Sequence, residues 1–306
     1  MSDDEQEYPF HLLFIIALII ITIVLTIMRI LFNFYEINYF LYFRRDYDFI
    51  ILREGIHNGL INFYDPIEGS AWPPYYLYFW YFMFYPIYLL PIEIGLYLWD
   101  ILRLISVVYV FFKAKELFKN RTDLIIFYIL SCIGYSVDAY FNNVNFLILF
   151  FLFNSYLALK MDKKWVGGIL FTLATFKINA FVFLPVLLIG NKIKFKDLIY
   201  YLVPFFIVFI PYIIFPDYFM QMVTNWGHSD EAVEGILRFE SMFWKALQPS
   251  HLMFIGLLLI IFLDGITDFK RKKIYRISSL SAIVIYYVYM TIVVFVIPVL
   301  ILGVVT

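Results

Sequence analysis

The sequence predicts an all-α, polytopic membrane bundle, and three observations lead there. The 306-residue chain is 63% hydrophobic and only 15% charged, with a mean hydropathy of +0.84. A soluble domain is nearer about half apolar and a quarter charged. Runs such as FHLLFIIALIIITIVLTIMRILF (Phe10–Phe32) exceed the roughly 20 apolar residues that cross a bilayer. The ~10-residue alternating segments of a membrane β-barrel are absent. The expected fold is a single integral domain over 1–306, with about 8–10 membrane segments, some short or re-entrant, around a cavity on the external face.

The elements follow in order. MSDDEQEY lacks the basic start and small-residue cleavage site of a signal peptide, so 10–32 is expected to remain as the first span. Four connectors, 113–121, 160–164, 191–197 and 268–276, hold fifteen of the 23 basic residues. The positive-inside rule makes them cytoplasmic, with the N-terminus on the same side. Neighbouring connectors must then be joined by an even number of crossings. Between 164 and 191 two full spans do not fit, so 165–190 is expected to be two short helices meeting near FKIN (176–179). The stretch 72–112 splits at LLPIEIG (89–95), which makes 72–90 re-entrant or interfacial and 94–112 the crossing. The loop 33–72 and the excursion 216–250 fall outside, and 251–306 supplies the C-terminal spans. On this topology 33–72, DAYFNNVN (138–145), the FKIN tip and 216–250 share one extracytoplasmic face. Four polar clusters on one face suggest one site.

Each cluster carries a chemistry and a plainer reading. RRDYDF (44–49) sets Asp46 and Asp48 beside Arg44 and Arg45. A carboxylate there suits a general base, and arginine suits a phosphate, whereas a solvated turn with surface ion pairs explains the same residues. The following REGIHNGLINFYDP reads as a short amphipathic helix ended by Gly59, then a turn; His57 on it is a polar loop residue that faces substrate if the loop does. Trp72 and Tyr75 belong to WPPYYLYFWYFMFY, mostly an interfacial aromatic belt, whose double proline enforces an extended path. Asp138, Asn142, Asn143 and Asn145 gather at a helix start. One asparagine is accounted for as an N-cap, and the others suit sugar hydroxyls or phosphate oxygens. Lys177 interrupts an apolar run; an intramembrane ammonium is a functional candidate, with snorkelling as the alternative. In the 216–250 excursion Arg238 and Glu240 sit in RFESMFWKAL, either an acceptor-contacting lid or an ordinary loop. Cys132 is a small buried hydrophobe. No histidine spacing suits a metal, and a divalent ion such as Mg or Mn on Asp46 and Asp48 is compatible but not required.

The order of these pieces resembles the GT-C superfamily of polyprenyl-phosphate-sugar-dependent glycosyltransferases. It is most similar to the family 87 mannosyltransferases and the related GPI mannosyltransferase I. The resemblance rests on DYDF after the first span, GLINFYDP, WPP, NNVN and FKIN over about residues 40–190, with Trp72, Asn142-Asn143 and Asn179 departing from the usual motif residues. It implies inverting transfer of a sugar, mannose by preference, from a polyprenyl- or dolichyl-phosphate carrier to a lipid or glycan acceptor. Asp46 or Asp48 would be the base, with Lys177, Arg44 and Arg45 on the phosphate. Substrate contacts are expected from His57, Asp138, Asn142, Asn143, Asn145, Trp72, Tyr75, Arg238 and Glu240. The partners are lipid-linked donor, acceptor and membrane lipid, with no nucleic acid. A transporter of lipid-linked sugars and an inactive subunit of a larger transferase are the alternatives; internal repeats would favour the transporter, and none is evident.

Overall fold

A computed structural model describes residues 10–37, 45–66, 74–118, 121–231 and 249–267. Helices and turns account for all regular structure among them, with no strand. Four helical segments, Phe10–Phe34, Ile92–Leu117, Arg121–Phe141 and Phe195–Ile214, are long and apolar enough to cross a membrane. Four shorter apolar helices lie at Asn145–Lys160, Lys164–Ala174, Asn179–Ile189 and Leu252–Leu263. The chain is an all-α polytopic bundle.

Helix α1 (Phe10–Phe34) shows why so apolar a sequence needs a bilayer. Leu13, Ile16, Ile20, Ile23, Ile27 and Phe34 are exposed, whereas Leu18 and Arg29 are buried against the bundle. After it, α2 (Tyr47–His57) buries Phe49, Leu52 and Ile56, spaced along one face, and Gly59 at φ 80° takes the turn that follows. The segment from Pro74 runs without helix to Leu77, whose N–H donates to the Phe176 carbonyl at 3.0 Å. Then α3 (Trp80–Tyr88) covers nine residues, about 13 Å at 1.5 Å per residue, too short to span the hydrocarbon core. Its rings stack into the aromatic group Trp80–Phe84–Trp99–Phe176, with centroids 4.6–6.1 Å apart.

Pro91 opens α4 (Ile92–Leu117), where its missing N–H costs nothing. Helices α5 (Arg121–Phe141) and α6 (Asn145–Lys160) are joined by a three-residue turn. The short α7 (Lys164–Ala174) and α8 (Phe183–Ile189) follow, linked by a 3-10 turn over Ile178–Val182. Helix α9 (Ile199–Ile214) crosses α7 so closely that a Cβ on Gly168 would lie 1.7 Å from the Tyr200 carbonyl oxygen, so only glycine fits. Gly134 likewise admits the backbone of α11 (Leu252–Thr267) at Met253.

Within the 216–250 excursion, expected to lie outside the spans, α10 runs over Pro216–Glu231. Pro216 opens it, Asp217 faces its positive end, and Met222 and Val223 turn inward. It docks on the segment after α2. The Asn225 amide donates to the carbonyls of Tyr64 (2.8 Å) and Pro74 (2.7 Å), Tyr218 to that of Leu60 (2.8 Å), and Gln221 to Asp65 (2.7 Å). From α9, Tyr212 joins Tyr64, whose hydroxyl donates to the Tyr76 carbonyl at 2.6 Å. The inner face combines these hydrogen bonds with the buried Met222 and Val223 and the ring of Phe219, and the polar residues of 216–231 hide this helix from a hydropathy reading.

Candidate active site

The site grows from a turn and two helix ends. Asp46 precedes α2 in the left-handed conformation (φ 56°), which aspartate tolerates better than most residues. Its N–H donates to the Tyr140 carbonyl at 3.2 Å, tying the start of α2 to the end of α5. Asn142 closes α5, also left-handed (φ 53°). The cap of α6 comes from outside the helix: Asp138 accepts the Asn145 N–H at 3.0 Å, while Asn143 Oδ1 accepts the Val144 N–H at 2.7 Å. The asparagine expected to N-cap that helix by its side chain is therefore not the group that does so.

Charge then alternates through the core. Arg29 donates through Nε and Nη2 to the two oxygens of Asp46, at 2.8 and 2.9 Å, and through Nη1 to Asp100 at 2.6 Å. Arg103 donates to Asp100 (2.8 Å), to Asp138 (3.0 Å) and to the amide oxygen of Asn142. The Asn142 amide closes the ring by donating to Asp46 at 2.6 Å. Asp46, Arg103 and Asp138 are fully buried, and Arg29 nearly so. Such charges survive in an apolar surround only when each is answered by an opposite charge and by hydrogen bonds. Arg45 is also buried, with Nε 3.7 Å from Asp46 and a bond to the Leu25 carbonyl, so its guanidinium is turned into the protein. Both Asp46 oxygens are engaged by Arg29. That donor set does not fit a divalent ion shared with Asp48.

Beside this saturated ring lies a less saturated edge. Lys177, in the turn between α7 and α8, donates to the amide oxygens of Asn143 and Asn145, both at 3.2 Å. Burial lowers its pKa, opposed by the charges of Asp48 and Asp138. Asp48, in the first turn of α2, has no hydrogen bond or ion pair among the described residues. Burial pushes its pKa up to about 6; the Lys177 ammonium works against that and the Asp138 carboxylate adds to it. Tyr75 stacks on Tyr76 at 4.9 Å, and its hydroxyl is pushed up to about 12, by burial first and by the Asp48 charge second.

Asp46, Asp48, Tyr75, Asp138, Asn142, Asn143, Asn145 and Lys177 thus come together in one polar cluster. His57 does not. It is exposed at the other end of α2, about 14 Å along the helix from Asp48, and meets the Tyr88 hydroxyl at 2.8 Å. Arg44, Trp72, Arg238 and Glu240 lie outside the described residues. Arg29, Asp100 and Arg103 are members that the sequence reading passed over. Their signal was available, because each interrupts an apolar helix, and Asp100 and Arg103 stand one turn apart.

The profile of Glycosyltransferase family 87 matches residues 75–305. The chain belongs to that family. Family 87 membership makes it a membrane glycosyltransferase, acting on a sugar donor and an acceptor. The match takes in Asp100, Arg103, Asp138, the asparagines and Lys177, and begins after Asp46 and Asp48. Neither a curated protein nor a solved structure gives a match.

Proposed function

We propose that this family 87 glycosyltransferase moves a sugar, mannose by preference, from a polyprenyl-phosphate carrier to a hydroxyl of a lipid or glycan acceptor, with inversion, on the extracytoplasmic face. The observation that carries the reading is an uncommitted carboxylate, Asp48, within electrostatic reach of Lys177, the one buried ammonium among the described residues, in a glycosyltransferase. A general base needs free lone pairs and a pKa near the working pH. Asp48 has both, whereas the oxygens of Asp46 are held by Arg29 and Asn142.

In this reading the acceptor hydroxyl gives its proton to Asp48 as its oxygen bonds to C1 of the sugar. The bond from C1 to the phosphate oxygen breaks on the opposite side, and its electron pair stays on the polyprenyl phosphate. Lys177 offsets the charge that develops there, in a site where low dielectric strengthens the interaction. Asn143 and Asn145 hold the ammonium in place before substrate arrives. Arg45 is not assigned to the phosphate, since its guanidinium is directed at Asp46 and Leu25. The extracytoplasmic placement rests on the basic connectors, and the mannosyl carrier on the likeness to polyprenyl-phosphate-mannose-dependent enzymes.

The test is transfer from radiolabelled polyprenyl-phosphate mannose by the full chain in lipid nanodiscs. Asp48→Asn is expected to lower turnover by about 10² to 10⁴, the usual worth of a general base, with folding retained. Wild-type donor binding without any transfer, or full activity in Asp48→Asn, would remove the proposal.

A further inference from the structure

Just before α3 the chain passes the site as a non-helical strap, residues 74–78, whose backbone is held from four directions. The Pro74 carbonyl accepts from the Asn225 amide at 2.7 Å, and the Tyr76 carbonyl from the Tyr64 hydroxyl at 2.6 Å. The Leu77 N–H donates to the Phe176 carbonyl at 3.0 Å, and the Tyr78 N–H to the Tyr212 hydroxyl at 2.7 Å. Buried backbone outside helices and sheets needs such partners. The Pro74 ring also lies over Gly55 of α2, where a Cβ would come within 2.6 Å of its Cγ.

Tyr75 sits between two of these holds and brings the strap to the reacting groups. Its ring stacks on Tyr76, and both tyrosines feel the charge of Asp48. Asp48 and Gly55 are seven residues apart and share one face of α2, so the strap runs along the face that carries the base. Asn225, on α10, is buried and gives its amide nitrogen to two main-chain carbonyls, those of Tyr64 and Pro74. A side-chain amide nitrogen has two N–H donors, so both are spent on backbone and none is left for substrate. Its work is to fix two stretches of chain at a set separation. At the Tyr76 carbonyl the Tyr212 hydroxyl stands 2.5 Å behind that of Tyr64. At Pro74 the donor is Asn225.

We propose that Asn225 is a positioning residue for transfer: by joining the Tyr64 and Pro74 carbonyls it keeps the strap on α2 and seats Tyr75 and Tyr76 beside Asp48. This deepens the transferase reading and rests on it for the role of Asp48. The groups that face Asp48 are Lys177 from the turn between α7 and α8, Asp138 from α5, and Tyr75 and Tyr76 from the strap. Burial is the largest influence on its proton and raises its pKa, while Lys177, the second, lowers it. A released strap readmits water, so the larger influence weakens and the pKa falls. Through Leu77 the strap also touches Phe176, next to Lys177, and a retreat of the ammonium would act the other way. That is the smaller influence, so the fall prevails.

The Asp48 proton can be followed without transfer. Infrared difference spectra of the full chain in nanodiscs are recorded against pH, and the protonated-carboxyl band that Asp48→Asn lacks is assigned to Asp48. Its wild-type midpoint is expected at about 6. Asn225→Leu should lower that midpoint by about one pH unit, a tenfold change in proton affinity. Gly55→Ala pushes Pro74 from the opposite side while favouring the helix, and should also lower it; this variant decides the matter if Asn225→Leu does not fold. Gln221→Leu removes the α10 bond to Asp65 and keeps every partner of the strap, so its midpoint should stay at the wild-type value. An unmoved midpoint in Asn225→Leu or in Gly55→Ala, or an equal shift in Gln221→Leu, would overturn the positioning role. Transfer measurements separate the two ideas: full activity in Asp48→Asn sinks the base, whereas an Asp48-dependent enzyme with an unmoved Asn225→Leu midpoint sinks only the part given to Asn225.

Discussion

Asp46 and Asp48 are two residues apart on one short turn, yet their surroundings are opposites. Asp46 is fully enclosed and accepts from Arg29 twice and from Asn142 once. Asp48 is half-buried and accepts from nothing among the described residues. In the ring of Arg29, Asp46, Asp100, Arg103 and Asp138 each of the three carboxylates is bonded by one or both of the two guanidiniums, and the ring binds α1, α2, α4 and α5 to one another. At the Asp48–Lys177 edge the charges are near one another without being tied together. A saturated carboxylate is a structural tie. A carboxylate left short of donors, at energetic cost, is the one equipped to take a proton.

The largest effect should therefore come from the tie. Arg29→Met leaves Asp46 and Asp100 buried with no guanidinium between them, and removing one partner of a buried pair costs about 3–5 kcal/mol. A steep fall in unfolding temperature and in the yield of folded protein is expected. Asp48→Asn should do the reverse. Its folded pKa is raised, to about 6, so the folded state binds more protons than the unfolded chain between pH ~4 and 6. Stability contributed through this group is thus lost as pH rises across that window and stays low above it. The asparagine variant should melt at or above the wild-type temperature at pH 7. Thermal unfolding by intrinsic fluorescence reads both, and an Arg29→Met protein as stable as wild type would erase the distinction between the two regions.

Much of this was legible in the sequence, and the part that was not has a physical reason. Hydropathy shows a membrane bundle because apolar runs of span length have few other uses. Lys177, Asp138 and the three asparagines stand out because polar groups inside such runs are expensive. What a linear reading cannot show is pairing. Asp46 and Asp48 look alike as letters, and only the folded position of Arg29, seventeen residues upstream, separates them. Arg29, Asp100 and Arg103 interrupt apolar runs as Lys177 does, but they sit in helices that read as plain spans. The helix over 216–231 does not stand out in hydropathy because its apolar stripe is short, Phe219, Met222 and Val223, and shares the inner face with Asn225, Gln221 and Tyr218. DAYFNNVN (138–145) is legible as a polar break, but not that Asp138, seven residues before Asn145, supplies the cap.

A smaller effect sharpens the role of the unsaturated edge. With donor and acceptor well below saturation, kcat/KM should fall about tenfold per pH unit below about 6, as Asp48 of the free enzyme becomes protonated. Lys177 lowers the pKa of Asp48, so Lys177→Met should move this acidic limb to higher pH as well as lower the maximum. A residue that served only the fold would reduce the maximum and leave the limb in place. If the limb in Lys177→Met coincides with that of wild type, the electrostatic link between the two side chains is refuted.

The smallest effect belongs at the far side of the α2 turn, where the hydrogen bonds are neutral. The Tyr64 hydroxyl donates to the Tyr76 carbonyl and meets the Tyr212 hydroxyl, which in turn accepts the Tyr78 N–H at 2.7 Å. Tyr64→Phe deletes one hydroxyl and keeps the ring that packs on Phe63 and Tyr218. Tyr212 can turn its own hydroxyl toward the vacated carbonyl, so the loss should be about 1 kcal/mol, the net value of one intramolecular hydrogen bond. That is a few degrees in unfolding temperature, far below the Arg29→Met effect, with turnover nearly unchanged. A Tyr64→Phe enzyme that lost activity while keeping its stability would show that the aromatic hydroxyl chain, and not only Asp48 with Lys177, takes part in positioning the reacting groups.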